Sequence, residues 1–240
     1  MMDLVGVIRR TPGRPISHLE RMPNQKYYKH DRPHILVYQP GRVGSNSVYE
    51  VVWKQLKENA HHLHTLGVSA RAKSWDLPER IAAKKEMFRV ITIVRDPIAR
   101  NLSAWKSFFN CRTDFVKEFD HDKILTWFDD ELKHFLGIDV FAYKFDKYTK
   151  WMTMKTQPTS PLLILRLEDL QTTLSSALHA FIPMTSEQGE RIELPHKAKS
   201  EQYEIPKLPT WLLDKMLQSK YCTHFYTGEE IQILYLKYSK

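Results

Sequence analysis

Phe88-Arg89-Val90-Ile91-Thr92-Ile93-Val94, closed by Arg95-Asp96-Pro97, decides the fold class. A run of β-branched and apolar residues halted by a turn signal predicts a buried strand. Asp96 is a good helix N-cap and Pro97 suits a first helical turn. The helix that starts there carries Ile98, Leu102, Trp105 and Phe109 on one face. The unit is strand, short polar loop, helix.

The same unit recurs on both sides. Upstream, His34–Tyr38 (HILVY) is a short apolar run between Pro33 and Pro40-Gly41, followed by a helix from Ser45 or Ser47 to Asn59. Val48, Val51, Val52 and Leu56 form its apolar face. His62–Leu66 predicts a second strand ended by Gly67. Downstream, an amphipathic helix over Lys123–Phe135 turns Ile124, Trp127, Phe128, Leu132 and Phe135 inward. Leu162–Leu167 (LLILRL) predicts another buried strand, with a helix from Glu168 to about Phe181. Two helices are expected in the tail, Pro209–Gln218 and Thr227–Tyr238, the second opening with a Thr227–Glu230 capping box. Recurrent strand–loop–helix units predict an α/β fold with a largely parallel sheet. In such sheets ligands bind beyond the carboxyl ends of the strands, here just after Tyr38, Leu66, Val94 and Leu167.

Residues 1–31, rich in Arg, Pro, His and Lys and without periodicity, read as an extended arm. Residues 32–240 read as one domain, since a chain of 240 residues can bury one continuous core. Lys plus Arg number 36 against 28 Asp plus Glu, a net charge of +8 that favours anionic partners. Cys111 and Cys222 form no CxxC, which argues against a zinc ribbon or disulfide framework. The longest apolar run between Met1 and Met22 is Leu4–Ile8, too short for a signal peptide or anchor, so the expectation is a cytoplasmic protein without membrane insertion.

The loop after the first strand is Gln39-Pro40-Gly41-Arg42-Val43-Gly44-Ser45-Asn46-Ser47. Its glycines allow close ligand approach, Arg42 supplies a fork of donors, and the following helix N-terminus suits an anion. No Lys follows Gly44, so this is not a Walker A loop, and it is not GxGxxG. The plain alternative is a βα turn with Ser47 as N-cap and Glu50 closing a capping box. In the loop after the third strand, Arg95 leaves the sheet at its ligand-facing edge, and Ser103 follows about two helical turns later. Together they can hold a phosphate; singly, each reads as surface.

GRVGSNS and RDPIARNLSAW resemble the two nucleotide signatures of sulfotransferases that use 3′-phosphoadenosine 5′-phosphosulfate (PAPS). That resemblance implies a three-layer, P-loop-like sulfotransferase fold. It implies a 5′-phosphosulfate loop of Arg42, Val43, Gly44, Ser45, Asn46 and Ser47, and a 3′-phosphate pair of Arg95 and Ser103. Arg166-Leu167-Glu168-Asp169-Leu170 is similar to the family's later strand and acidic turn. Within the superfamily, Trp127-Phe128-Asp129-Asp130-Glu131-Leu132 and Gly137-Ile138-Asp139-Val140 resemble bacterial capsular polysaccharide synthesis proteins. Their Asn-Lys-Trp-Tyr-Ser signature is missing; the nearest text is His196-Lys197-Ala198-Lys199-Ser200-Glu201-Gln202-Tyr203. Lys197 and Lys199 are candidates to cover the nucleotide, as basic late loops do in related enzymes.

Sulfuryl transfer needs a base for the acceptor proton. In His61-His62-Leu63-His64, His62 and His64 share a strand face and an imidazole titrates near neutrality. His64 is the first candidate, His62 the second, and Arg42 stabilises charge. Each histidine could equally pack within the sheet. No metal site is expected. The reading is transfer from PAPS to a hydroxyl, on a carbohydrate, with no nucleic-acid partner. Arg71, Lys73, Lys84 and Lys85 could meet an acidic acceptor. The alternatives are a nucleotide-dependent kinase and a non-catalytic binder of polysaccharide or nucleic acid. Aromatics at core-like spacings, not interleaved with basic residues, argue against the binder.

Overall fold

In the computed structural model, strand β1 (His34–Tyr38) lies second from one edge of a five-stranded sheet ordered β2-β1-β3-β5-β4. Strands β2 (Ala60–Leu63), β3 (Phe88–Val94) and β5 (Leu162–Arg166) lie parallel to β1 or to its neighbours. Only β4 (Trp151–Met154) runs antiparallel, pairing with β5 at the edge. The structure describes residues 34–56, 59–66, 88–155, 161–182 and 207–239. The arm at 1–31, Arg71, Lys73, Lys84, Lys85, Lys197 and Lys199 lie outside those residues.

Helices cover both faces of the sheet. Side chains alternate along each strand, so one face of β1, β3 and β5 presents Ile35, Val37, Ile91, Ile93, Leu163 and Leu165. Against it pack α1 (Ser45–Leu56) through Val48, Val51 and Val52, and α6 (Leu170–Phe181) through Leu174, Ala177 and Leu178. The other face, with Leu36, Tyr38, Val90, Val94, Leu162 and Ile164, meets α2 (Pro97–Phe109) and α4 (Lys123–Trp127). It also meets α7 (Thr210–Leu217), α8 (Lys220–Phe225) and α9 (Gly228–Tyr238). Burial on both faces explains why these strands read as unbroken apolar runs.

Several local expectations meet the structure directly. Asp96 caps α2, accepting from the backbone N–H of Ile98 and Ala99, and the Thr227–Glu230 capping box forms at α9. Others need correction. The second strand ends at Leu63, which leaves His64 beyond it in a bend. Ser47 does not cap a helix: α1 starts two residues earlier, and Glu50 pairs with Lys54 at 3.3 Å on the surface. The predicted helix over Lys123–Phe135 is three pieces: α4, a π-helical turn at Phe128–Lys133, and a short α5 (His134–Leu136). The change of period rotates Phe135 outward, where it is exposed, as is Phe109 of α2. A turn of α3 (Phe115–Glu118), the antiparallel β4 and helix α8 were not expected.

Candidate functional site

The chain runs from β1 outward to β2, then returns to place β3 on the other side of β1. That reversal opens a crevice at the carboxyl ends of β1 and β3, where open α/β sheets bind ligands. The two loops singled out in the sequence leave those two ends.

They meet. The Arg95 guanidinium donates to the carbonyl of Arg42 at 2.8 Å, and Arg42 Nε donates to Ser103 Oγ at 3.1 Å. Residues 42, 95 and 103 therefore form one cluster. Arg42 holds a left-handed backbone, φ 74°, which costs a non-glycine residue roughly 1–2 kcal/mol. Bracing from helix α2 offsets it: Arg100 Nε donates to the Gly41 carbonyl at 3.0 Å, one peptide from the Arg95 contact. Gly44 has φ 78°, and an added Cβ would lie 2.4 Å from Leu167 Cδ1, so glycine lets the loop close against the exit of β5. Val43 is buried in the sheet core, so only its backbone faces the crevice. Ser45 is buried, Ser47 half-buried and Asn46 exposed at the start of α1.

Arg100 was not among the expected site residues. It lies three residues before Ser103, hence on the same helix face, which is the signal that could have found it. It is buried, and desolvation chiefly pulls its pKa down; Tyr221 and Asp120 oppose this, while Arg95 and Arg42 add to it. An arginine stays protonated through such a shift. Three guanidinium groups thus surround one loop, and their hydrogen bonds go to carbonyls, a hydroxyl and the Asn101 amide oxygen. That is a cationic, donor-rich cradle.

The second loop is fixed from the C-terminal helices. The Tyr221 hydroxyl of α8 accepts from the Arg95 N–H at 3.1 Å and donates to the Arg95 carbonyl at 3.0 Å. Tyr238 of α9 donates to Asp96, whose N–H donates to Glu168 Oε1 at 2.7 Å. Tyr226 donates to the other Glu168 oxygen at 3.2 Å. Surrounding protein raises the Glu168 pKa, with the Asp96 N–H working against the rise. Beside these groups lies a cavity of about 450 Å³, walled by Arg95, Ala99, Leu167, Glu168, Ile233 and Lys237 among others. Arg166 at its floor is committed elsewhere, with 3.0 and 2.6 Å bonds to the Glu230 carboxylate.

The histidines sit at the β1–β2 side of the crevice. His62 is buried, stacked on Tyr49 at 5.2 Å between ring centroids, and its Nε2 lies 3.0 Å from the Gln39 amide nitrogen. The amide can only donate, so Nε2 accepts. Burial first, then His64, push the His62 pKa down to about 3, which keeps it neutral and a poor proton acceptor. His64 is exposed and touches the His62 ring edge-on at 4.8 Å. Its Nδ1 is 3.0 Å from the Gln39 carbonyl, which can only accept, so Nδ1 carries the proton and Nε2 the lone pair. The loop bearing His64 is tied down by the π-helical turn. Glu131 accepts from Tyr38 O–H, from Thr65 Oγ1 at 2.7 Å and from the Leu66 N–H at 3.1 Å, while Trp127 Nε1 donates to the His64 carbonyl at 3.3 Å. π-helical turns recur at functional sites because the extra residue re-aims a side chain.

Residues 110–227 match the model of a protein family described as "Putative capsular polysaccharide synthesis protein". No curated protein and no solved structure matches the chain. The matched span runs from the end of α2 to the cap of α9. It therefore holds the parts that brace the crevice, Glu131, Glu168 and Tyr221, while Arg42, Arg95 and Ser103 precede it. Among the described residues, no helix is long and apolar enough to cross a membrane, and no grouping of three His, Cys, Asp or Glu side chains has metal-ligand geometry.

Proposed function

We propose that this protein is a sulfotransferase that moves a sulfuryl group from PAPS to a hydroxyl of a carbohydrate. One observation carries the reading: Arg42, Arg95 and Ser103, drawn from two separate loops, converge at the switch point of the sheet. The family match supports a transferase working on a polysaccharide. The residues present fit the donor. Cations and backbone donors of the 41–47 loop suit a phosphosulfate, and Gly44 against Leu167 allows its close approach. The cavity beside Arg95 has the volume of an ordinary small-molecule pocket. Its carboxylates suit the hydroxyl groups of a nucleoside and disfavour a further phosphate deep inside.

The donor supplies an electrophilic sulfur joined to a phosphate that leaves. The acceptor oxygen forms the new S–O bond as the S–O bond to phosphate breaks, and the phosphate takes the electron pair. Arg42 and the loop N–H groups hold that departing charge. His64 Nε2 accepts the acceptor's proton. Neutral His62 acts through Gln39, whose amide it accepts from and whose carbonyl holds His64. To grip opposite ends of one nucleotide, Arg42 swings off Ser103 and frees the hydroxyl for the 3′ phosphate beside Arg95.

Calorimetric titration with 3′-phosphoadenosine 5′-phosphate tests this. Wild-type protein binds it in the absence of Mg²⁺. Arg95→Ala loses a charged hydrogen bond, a weakening of about 10- to 150-fold. His64→Ala keeps the affinity and loses turnover on an acceptor. Unchanged affinity in Arg95→Ala removes the site, and strictly Mg²⁺-dependent turnover with a nucleoside triphosphate favours a kinase.

A further inference from the structure

One surface segment departs from the core-like spacing of the aromatics elsewhere. Tyr143-Lys144-Phe145-Asp146-Lys147-Tyr148-Thr149-Lys150-Trp151 interleaves rings with cations, and Lys155 follows. Only Phe145 of its rings is fully buried; Tyr148 is 96% exposed and Tyr143 45%. Helix α8 adds to the same surface. Lys147 Nζ donates to the Thr223 carbonyl at 2.7 Å, and the Lys220 ammonium lies 4.2 Å from the Phe141 ring centroid. His224 sits between those two lysines; burial first, then Lys147 and Lys220, lower its pKa to about 4. Asp146 is the one acid within residues 143–155; it is exposed, and its Oδ1 accepts from the N–H of Tyr148 and Thr149 on its own loop.

Its position matters as much as its charge. Trp151 opens β4 opposite Leu165, at the carboxyl end of β5, so the segment stands on the ligand-facing rim of the sheet. Lys150 Nζ bonds Asp169 at 2.9 Å, and Asp169 walls the cavity beside Arg95. The basic segment thus continues the crevice outward past the sheet edge.

We infer that this rim, Tyr143, Lys144, Lys147, Tyr148 and Lys220, is a docking track for an acidic polysaccharide chain. Exposed tyrosine rings offer flat apolar faces for sugar rings, with a polar tip left in water. Lysine ammonium groups are compact point charges that tolerate carboxylate or sulfate groups at varied angles, and the segment lacks arginine, whose planar guanidinium suits bidentate phosphate contacts and stacking on bases. Residues 143–151 also form no amphipathic helix to lie in a lipid surface, and they carry no aliphatic side chain. The track is independent of the nucleotide assignment, because it stands on surface chemistry outside the cluster of Arg42, Arg95 and Ser103.

The test uses a heparin hexasaccharide titrated into the full chain at several salt concentrations, with uncharged dextran as control. Lys144→Glu combined with Tyr148→Ala alters two exposed side chains and is expected to weaken heparin binding at least tenfold and to flatten its salt dependence. Lys54→Glu makes a similar charge change on α1, beside β2 at the opposite edge of the sheet, and is expected to leave affinity within twofold. Binding of 3′-phosphoadenosine 5′-phosphate stays at the wild-type value in both. The track is refuted if Lys54→Glu weakens heparin binding as much as the double variant, or if heparin does not bind. It is equally refuted if single-stranded RNA or phosphatidylglycerol vesicles bind as tightly with the same dependence on Lys144 and Tyr148.

Discussion

Replacing Gly44 by Ala separates two costs that the loop geometry imposes together. At φ 78° an L-residue occupies the left-handed region, which costs about 1–2 kcal/mol. The new methyl carbon also lies 2.4 Å from Leu167 Cδ1, and overpacking of that kind adds roughly 1–3 kcal/mol. The contact is with the tip of a half-buried leucine, so Leu167 rotates away and the lower end of the range applies. The sum is a loss of about 2–3 kcal/mol in urea unfolding, with the midpoint shifted and the slope unchanged. Leu167→Ala removes the clash without touching the backbone, so a double-mutant cycle apportions the two. In the Leu167→Ala background, Gly44→Ala still costs the left-handed term, about 1–2 kcal/mol. Donor affinity falls in both backgrounds, because an L-residue at position 44 disfavours the left-handed turn in each, and it falls further where the Leu167 clash also keeps the loop off β5. A Gly44→Ala protein as stable as wild type, or one restored fully by Leu167→Ala, refutes the left-handed loop as the source of the cradle's shape.

Two further outcomes follow from the bracing. Tyr221→Phe removes the hydroxyl that bridges the Arg95 N–H and carbonyl, costing about 1–3 kcal/mol in denaturant unfolding and weakening 3′-phosphoadenosine 5′-phosphate binding in parallel; loss of stability with intact binding would break the link between α8 and the loop. The folded protein holds His62 at a pKa of about 3 against about 6.5 unfolded. The unfolded chain therefore binds the extra proton first, so this stability is intact above pH 6.5 and declines as pH falls towards 3. Between pH 7.5 and 4.5 the loss is on the order of 2–3 kcal/mol, and His62→Gln removes that part of the slope; an unaltered pH profile in the variant refutes it.

The strands that were legible are those whose side chains are buried on both faces. HILVY, FRVITIV and LLILRL are continuous apolar runs because helices cover the sheet on either side, and that pattern survives without tertiary information. β4 was hidden because it is an edge strand of four residues with two half-buried and one exposed, so WMTM carries no run and no clean alternation. The boundary error at His64 has the same origin: HHLHTL looks like strand, but pairing with β1 runs out opposite Tyr38, and the chain bends to meet Glu131 and Trp127. The π-helical turn could not be read from periodicity, since its extra residue breaks the period that the reading relied on. For the site, Arg42, Arg95 and Ser103 were visible as loop chemistry. Arg100 was obscured because its work is done on a backbone carbonyl, and Glu131 and Tyr221 because their partners lie many residues away in sequence.

The cluster at the crevice stores its own binding chemistry in a self-satisfied form. Ser103 Oγ and the Arg42 carbonyl stand where an anion's oxygens would compete, and each accepts from a guanidinium. A neutral ligand offers those guanidinium groups nothing better than the hydroxyl and carbonyl they already hold. A dianion does, because a charged acceptor roughly doubles the strength of each hydrogen bond. The exchange is also cheap in structure: Arg42 Nε can leave Ser103 by side-chain rotation alone, while Arg95 is fixed at its backbone by Tyr221 and Arg100 keeps hold of Gly41. The loop therefore keeps its left-handed turn as the mobile guanidinium changes partner. If the cluster binds the proposed donor, that asymmetry predicts selectivity for doubly anionic ligands, with one arginine free to move and two that hold the cradle in shape.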